Sequence, residues 1–258
     1  MKIINKLFFL YNNKSDFTII LYFLFQKIKN IFIKRKIIEY KKKHQKLLIK
    51  KKFTKDYFSS HAYYFYYIIN KIKNSENYLE IGSYEGNSAL FVAENFNFNK
   101  IYCVDTWDDL DEYDKTGEYS NKHFSLVEQK FDKNLKEYKN IKKIKKKSNI
   151  FFKDNKIFYD IIYVDGLHKG EQVYQDCVNA WKFLNENGYL ICDDYIWTLY
   201  KKIEDNPCYA INKFLKKINN QYKIIIVSNS QIYIKKLARA RKESNPEPPE
   251  PKSGALSS

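Results

Sequence analysis

The strongest constraint on how this chain folds is an alternation that begins near Tyr57 and continues to Lys236. Short apolar runs take turns with segments of helical spacing. The runs are Asn77–Gly82 (NYLEIG), Lys100–Asp105 (KIYCVD), the weaker Ile141–Lys145, Tyr159–Asp165 (YDIIYVD) and Tyr189–Asp193 (YLICD). Tyr57–Lys73, Ser83–Phe96, Gln172–Leu184 and Ala210–Ile218 read as helices. Strands separated by helices join a parallel sheet through crossovers that cover both of its faces. Tyr222–Val227 and Gln231–Lys235 flank only Ser228-Asn229-Ser230, a hairpin that adds antiparallel strands at one edge. The expectation is an α/β protein with a doubly wound, mostly parallel seven-stranded sheet.

The ends differ from this middle. Residues 1–55 hold 16 Lys and Arg against Asp16 and Glu39, so +14 of the net charge of +16 lies there. Residues 56–234 carry 24 basic and 25 acidic side chains and are nearly neutral. A uniformly basic chain would point to nucleic acid; a neutral middle does not, and no nucleic-acid partner is expected. Phe17–Phe25 (FTIILYFLF) is shorter than the ~20 apolar residues a spanning helix needs, and no small-residue cleavage site follows it. Ile28, Ile31, Phe32, Ile37, Ile38, Leu47 and Leu48 among lysines read as a basic amphipathic helical extension. It admits three readings. One is an anionic membrane surface, with the protein cytoplasmic and peripheral. A second is packing on the domain or on the second subunit of a homodimer. The third is a true membrane anchor or leader. Residues 237–258 carry four of the five prolines and no Ile, Tyr or Phe, and read as a disordered tail or an appended end. The organisation is therefore an extension (1–55), a domain (56–236) and a tail (237–258). The four cysteines form no CxxC pair, which fits a reducing compartment.

In an open parallel sheet, ligands bind outside the carboxyl ends of the strands. The first run ends in Glu80-Ile81-Gly82-Ser83-Tyr84-Glu85-Gly86-Asn87-Ser88, an E-x-G-x-x-x-G turn whose glycines let backbone approach a ligand. Asp105 ends the next run, 25 residues after Glu80, where a carboxylate can accept ribose hydroxyls. Asp165 (VDGLH) and Asp193-Asp194 (CDDY) end two later runs expected to be neighbours about 4.8 Å apart. Three converging carboxylates repel unless a cation joins them. All-oxygen ligation suits Mg²⁺ or another hard divalent ion. His168 lies three residues after Asp165, with three roles open: general base, metal ligand, or orienting group for Asp165.

From Tyr57 to Lys236 this pattern resembles the class I S-adenosylmethionine-dependent methyltransferases, a Rossmann-like fold. The resemblance implies that Gly82 and Gly86 flank the methionine part of the cofactor, with Glu80 in the same turn. Asp105 would hold the ribose, and Ser148-Asn149 would border the adenine. Gly82, Tyr84, Gly86 and Ser88 reproduce the G-x-Y-x-G-x-S turn of the metal-dependent catechol and caffeoyl-CoA type O-methyltransferases, where the tyrosine and serine contact the cofactor carboxylate. In that subgroup the metal positions are Asp, Asp and Asn. Here they are Asp165, Asp193 and Asp194, with Asp165 also counted among the cofactor contacts. Trp107 opens an acidic segment (105–118) and is expected to pack on the adenine; Lys139–Lys147 reads as a solvated strand face. The function implied is methyl transfer from S-adenosylmethionine to a hydroxyl of a small molecule or glycan, assisted by a divalent cation. The alternatives are a metal-independent methyltransferase and a catalytically silent, membrane-associated cofactor binder. An oxidoreductase is disfavoured by the glycine spacing, and nucleic-acid methylation by the lack of an Asn/Asp-Pro-Pro-Tyr motif.

Overall fold

The computed structural model describes residues 2–72, 76–108, 121–197 and 200–238. The strands are β1 (Asn77–Ile81), β2 (Lys100–Asp105), β3 (Ile141–Lys145), β4 (Tyr159–Val164), β5 (Leu184–Cys192), β6 (Tyr222–Val227) and β7 (Ile232–Lys236). They form one sheet in the order β3-β2-β1-β4-β5-β7-β6. β1 pairs in parallel with both β2 and β4, so the chain winds outward in opposite directions from that pair. Such a switch point opens a crevice at the carboxyl ends of the strands. β7 alone runs antiparallel, between β5 and β6.

The helices are α1 (Ile3–Asn12), α2 (Phe17–Phe32), α3 (Lys34–Leu48), α4 (Ala62–Ile69), α5 (Asn87–Asn95), α6 (Asn121–Leu135), α7 (Ser148–Asp154), α8 (Gly170–Phe183) and α9 (Pro207–Lys217). Side chains alternate across a strand, and the sheet divides its apolar residues accordingly. Leu79, Ile81, Val104, Ile162, Val164 and Leu190 pack on the side of α8, α9, α1 and α2. Tyr78, Ile101, Cys103, Ile161, Tyr163 and Ile191 pack on the side of α4, α5 and α6.

The extension is three helices, and part of it is core. Leu10, Ile19 and Phe23 are fully buried in the α8–α9 layer. Truncating a buried Phe such as Phe23 to Ala costs about 3–5 kcal/mol. His44 of α3 is buried on the opposite layer, its Nε2 2.6 Å from the Asn87 side chain of α5. Packing on the domain thus accounts for one face of this segment.

Elsewhere the elements shift. The helix expected over Tyr57–Lys73 is confined to α4, because the Asp56 carboxylate accepts the Ser59 N–H (2.9 Å) and turns the preceding residues. The strand expected over Tyr189–Asp193 starts at Leu184. Helices α6 and α7 were not anticipated, although Phe124, Val127, Phe131 and Leu135 keep helical spacing. The basic face of β3 is not simply solvated. Lys143 pairs with Glu128 and Asp132 (2.8 Å each) and Lys145 with Glu128 (2.7 Å), so the acids come from α6. Positions 109–118 of the acidic segment and 239–258 of the tail lie outside the described residues.

Candidate active site

Both glycines of the turn after β1 adopt left-handed backbone, which favours that residue. Gly82 has φ +88° and Gly86 φ +82°. Gly82 lies against β4: a Cβ there would sit 1.9 Å from the Asp165 carbonyl oxygen. Its N–H donates to the Val104 carbonyl at 2.8 Å, and the Asp165 N–H donates to Ile81 at 2.8 Å. The ends of β2, β1 and β4 are thereby laced together. A Cβ on Gly86 would instead meet Leu135 of α6 at 2.5 Å.

Asp105 closes this turn. Its carboxylate accepts the Tyr84 N–H (2.8 Å) and the Trp107 N–H (2.9 Å). Burial raises its pKa, and backbone N–H groups of Trp107, Tyr84, Ser83 and Thr106 oppose that rise. Glu80 is sealed beneath, accepting the Tyr78 hydroxyl at 3.1 Å. Burial pushes it up to about 7 against the pull of Ser88, Ser83 and Tyr78 hydroxyls. Ser88 is therefore buried beside Glu80 on α5. Tyr84 itself has φ +46°, and its ring meets Tyr57 edge-on at 6.1 Å.

Trp107 corrects the sequence reading. It is 2% exposed, its indole N–H donates to the Tyr84 carbonyl (2.8 Å), and its ring lies 4.8 Å from Phe131. That is a core position locking the glycine turn to α6, not a free platform for an adenine. Ser148 and Asn149 open α7; Asn149 is exposed, while the Ser148 hydroxyl accepts from Gln172 of α8 at 3.2 Å.

The acids at the ends of β4 and β5 sort differently from the expected set. Asp165, His168 and Asp194 each bring a ligand atom within 4.8 Å of the others. His168 Nε2 is 3.0 Å from Asp194 and 3.9 Å from Asp165, with its ring edge-on to Trp197. Asp193 points elsewhere. It accepts Gln231 Nε2 (2.6 Å), the Asp194 N–H (2.7 Å) and the Tyr163 hydroxyl, and is not in the cluster. Asp194 has φ +53°, and this left-handed step turns adjacent carboxylates in different directions. Six described non-glycine residues have positive φ, and Tyr84, Trp107 and Asp194 all stand at the carboxyl end. Strain gathered there is typical of functional sites.

Electrostatics bind the cluster. Burial and repulsion from Asp193 hold the Asp165 pKa well above the usual carboxylate range, with His168 opposing. Burial also raises Asp193; His61 opposes it and Asp194 adds repulsion. Tyr163 contacts both Asp165 (2.8 Å) and Asp193, yet has one hydroxyl hydrogen, so a proton on one carboxyl completes the chain. Burial lowers the His168 pKa, but the hydrogen bonds to Asp165 and Asp194 outweigh it and push it up to about 10.

Sequence reasoning missed Tyr163, Gln231, Asp176 and Glu85. Asp176 is a buried acid on the apolar stripe of α8, held at 3.0 Å by Gln172 and pushed up to about 6 by burial. An acid between Val173 and Cys177 was its legible signal. Glu85, buried in the glycine turn, accepts the Thr54 N–H (2.6 Å) and Lys130 (3.0 Å). Asn134 accepts the Lys52 N–H (2.7 Å) and donates to the Glu85 carbonyl (3.1 Å). The end of the extension thus braces the turn; nothing local in the sequence predicts this.

The strand order with reversed β7, the glycine turn after β1 and the acid ending β2 agree with the pattern of the class I S-adenosylmethionine-dependent methyltransferases, and a methyltransferase domain is matched within this chain. The family described as a methyltransferase domain matches residues 79–195, from β1 to just past Asp194. A putative O-methyltransferase from Klebsiella pneumoniae superposes with TM-score 0.52 at 10% identity, over 83% of this chain and 97% of that one. The O-methyltransferase TomG from Streptomyces achromogenes, in complex with SAM, gives 0.49 at 9% identity, over 66% and 77%. An rRNA methylase from Streptococcus thermophilus gives 0.49 at 12% identity, over 69% and 96%. At 10% identity the likeness to the Klebsiella pneumoniae protein is one of fold, and it does not choose an acceptor. No curated protein sequence matches the chain.

Proposed function

We propose that this methyltransferase acts on a hydroxyl of a small molecule or glycan, and that a divalent cation held by Asp165, His168 and Asp194 assists it. The observation that carries this reading is the convergence of those three side chains, within 4.8 Å, at the ends of β4 and β5. The donor chemistry fits a cation: two carboxylates and an imidazole converge on a half-buried site, and the Asp165 pKa is raised by burial and by repulsion from Asp193. An imidazole in the set favours a first-row ion that takes nitrogen and oxygen donors over all-oxygen Mg²⁺. A cation bound there supplies Lewis acidity that lowers the pKa of a coordinated hydroxyl.

The chain's own groups set the rest. Gly82 and Gly86 let the turn after β1 close against β4 and α6, and the Asp105 carboxylate at the end of β2 suits ribose hydroxyls. Holding the hydroxyl in line with the sulfonium methyl can supply ~7–11 kcal/mol of the barrier. Without a cation, His168 is an imidazolium near neutral pH and holds its proton between Asp194 and Asp165. It can accept a proton only after losing that one. The same ion pair supports a second reading, a metal-independent enzyme in which the imidazolium itself neutralises the carboxylates.

Calorimetry should show S-adenosylhomocysteine binding, lost in Asp105→Ala. Paramagnetic-resonance titration with Mn²⁺ should show binding that weakens in His168→Gln. Methyl transfer to hydroxyl metabolites, followed by mass spectrometry with labelled cofactor, should stop on EDTA treatment and return with the ion. Turnover that survives EDTA removes the cation and leaves the second reading.

A further inference from the structure

Helix α2 is apolar on two opposite faces, and the fold uses only one. Ile19 and Phe23 are buried in the core. On the other side Phe17, Leu21, Phe25, Ile28 and Phe32 follow one another at helical spacing, and all are exposed, Phe32 by 83%. Ile4 and Phe8 of α1 are exposed as well. Scattered exposed apolar side chains are ordinary, but a continuous stripe marks a docking surface.

We infer that this stripe lies in the plane of an anionic lipid surface. The argument is charge. Immediately after Phe32 come Lys34, Arg35 and Lys36, then Lys41, Lys42 and Lys43, all exposed. Among the described residues, none of the Lys or Arg side chains of α1–α3 is in an ion pair. An apolar face bordered by uncompensated cations is the pattern of an interfacial helix on anionic headgroups. A second copy of this chain is a poor occupant, because it would bring +14 against +14. The helix lies on the surface and does not cross it. At about 1.5 Å per residue, the 16 residues of α2 fall short of the ~30 Å hydrocarbon core. Its other face is already committed to the protein, and no helix among the described residues is long and apolar enough to span. Lys6 (2.8 Å) and Lys27 both hold Asn229, in the turn that joins β6 to β7 at the carboxyl end of the sheet. The lipid-facing helices are therefore tied to the end of the sheet that carries the site.

The test is co-sedimentation of the full chain with vesicles of phosphatidylcholine mixed with phosphatidylglycerol, against phosphatidylcholine alone. Binding to the mixed vesicles alone is expected, weakening at least about ten-fold in Lys34→Gln/Arg35→Gln/Lys36→Gln and by a similar factor in Phe25→Ser/Ile28→Ser/Phe32→Ser. Circular dichroism and S-adenosylhomocysteine binding should not change in either variant, since every substituted side chain is exposed. Three outcomes overturn the proposal: no vesicle binding, equal binding by the apolar variant, or a dimer by light scattering that the apolar substitutions dissolve. None of these bears on methyl transfer, which is assayed separately.

Discussion

Gly82 and Gly86 look equivalent in the sequence, but the structure predicts that alanine will harm them unequally. Both have positive φ, so alanine at either costs about 1–2 kcal/mol in backbone strain. The difference lies in what the added Cβ meets. At Gly82 it would stand 1.9 Å from the Asp165 carbonyl oxygen, a backbone atom of the adjacent strand end. Backbone cannot rotate away. The ends of β1 and β4 must part, weakening the 2.8 Å bond from Asp165 N–H to Ile81, a further ~0.5–1.5 kcal/mol. Together with the strain of displacing two strands, Gly82→Ala should cost at least about 3 kcal/mol. At Gly86 the obstacle is Leu135 Cδ1 at 2.5 Å, the end of a side chain that can change rotamer. Gly86→Ala should therefore cost about 2 kcal/mol. Urea unfolding followed by circular dichroism measures both, and a double-mutant cycle with Leu135→Ala separates the causes. Gly86→Ala should couple favourably to Leu135→Ala by about 1 kcal/mol, and Gly82→Ala should be additive with it. Equal losses at the two glycines, or coupling of Gly82 to Leu135, would refute the reasoning.

Two further predictions concern pH. Glu80 is raised from 4.5 to about 7 by burial, so its contribution to stability is full below pH 4.5 and is lost as pH rises through about 7. Glu80→Gln should match the parent at pH 4.5 and exceed it in unfolding free energy at pH 8; a constant offset between the two would contradict the assignment. His168, raised from 6.5 to about 10 by Asp165 and Asp194, contributes stability that is full below pH 6.5 and lost as pH rises through about 10. In ion-free protein, His168→Gln should flatten the decline of unfolding free energy over that interval, and the imidazole should still be charged at pH 8 by NMR.

Much of the fold was legible because its signals are local. Short consecutive runs of Val, Ile, Tyr and Leu mark β1, β2 and β4 without reference to any partner, and Ser228-Asn229-Ser230 leaves β6 and β7 little choice but a hairpin. The glycine turn was legible for the same reason, since φ is a property of one residue. Trp107 was not, because its neighbour Phe131 belongs to a helix 24 residues away. The pairing of His44 with Asn87, and of Glu85 with Thr54 and Lys130, spans 31 to 45 residues and has no pattern a window can detect.

The acids at the strand ends divide along the same line. By itself the sequence determined that Asp105, Asp165 and Asp193-Asp194 would gather at one edge of a parallel sheet, because strand periodicity and crossover connections leave no other arrangement. Only the tertiary structure decided which of them meet. The left-handed backbone at Asp194 sends Asp193 inward to Tyr163 and Gln231 and leaves Asp194 facing His168. It likewise decided that α2 has two apolar faces with different neighbours: hydropathy counts apolar residues, and only packing says which of them the protein covers.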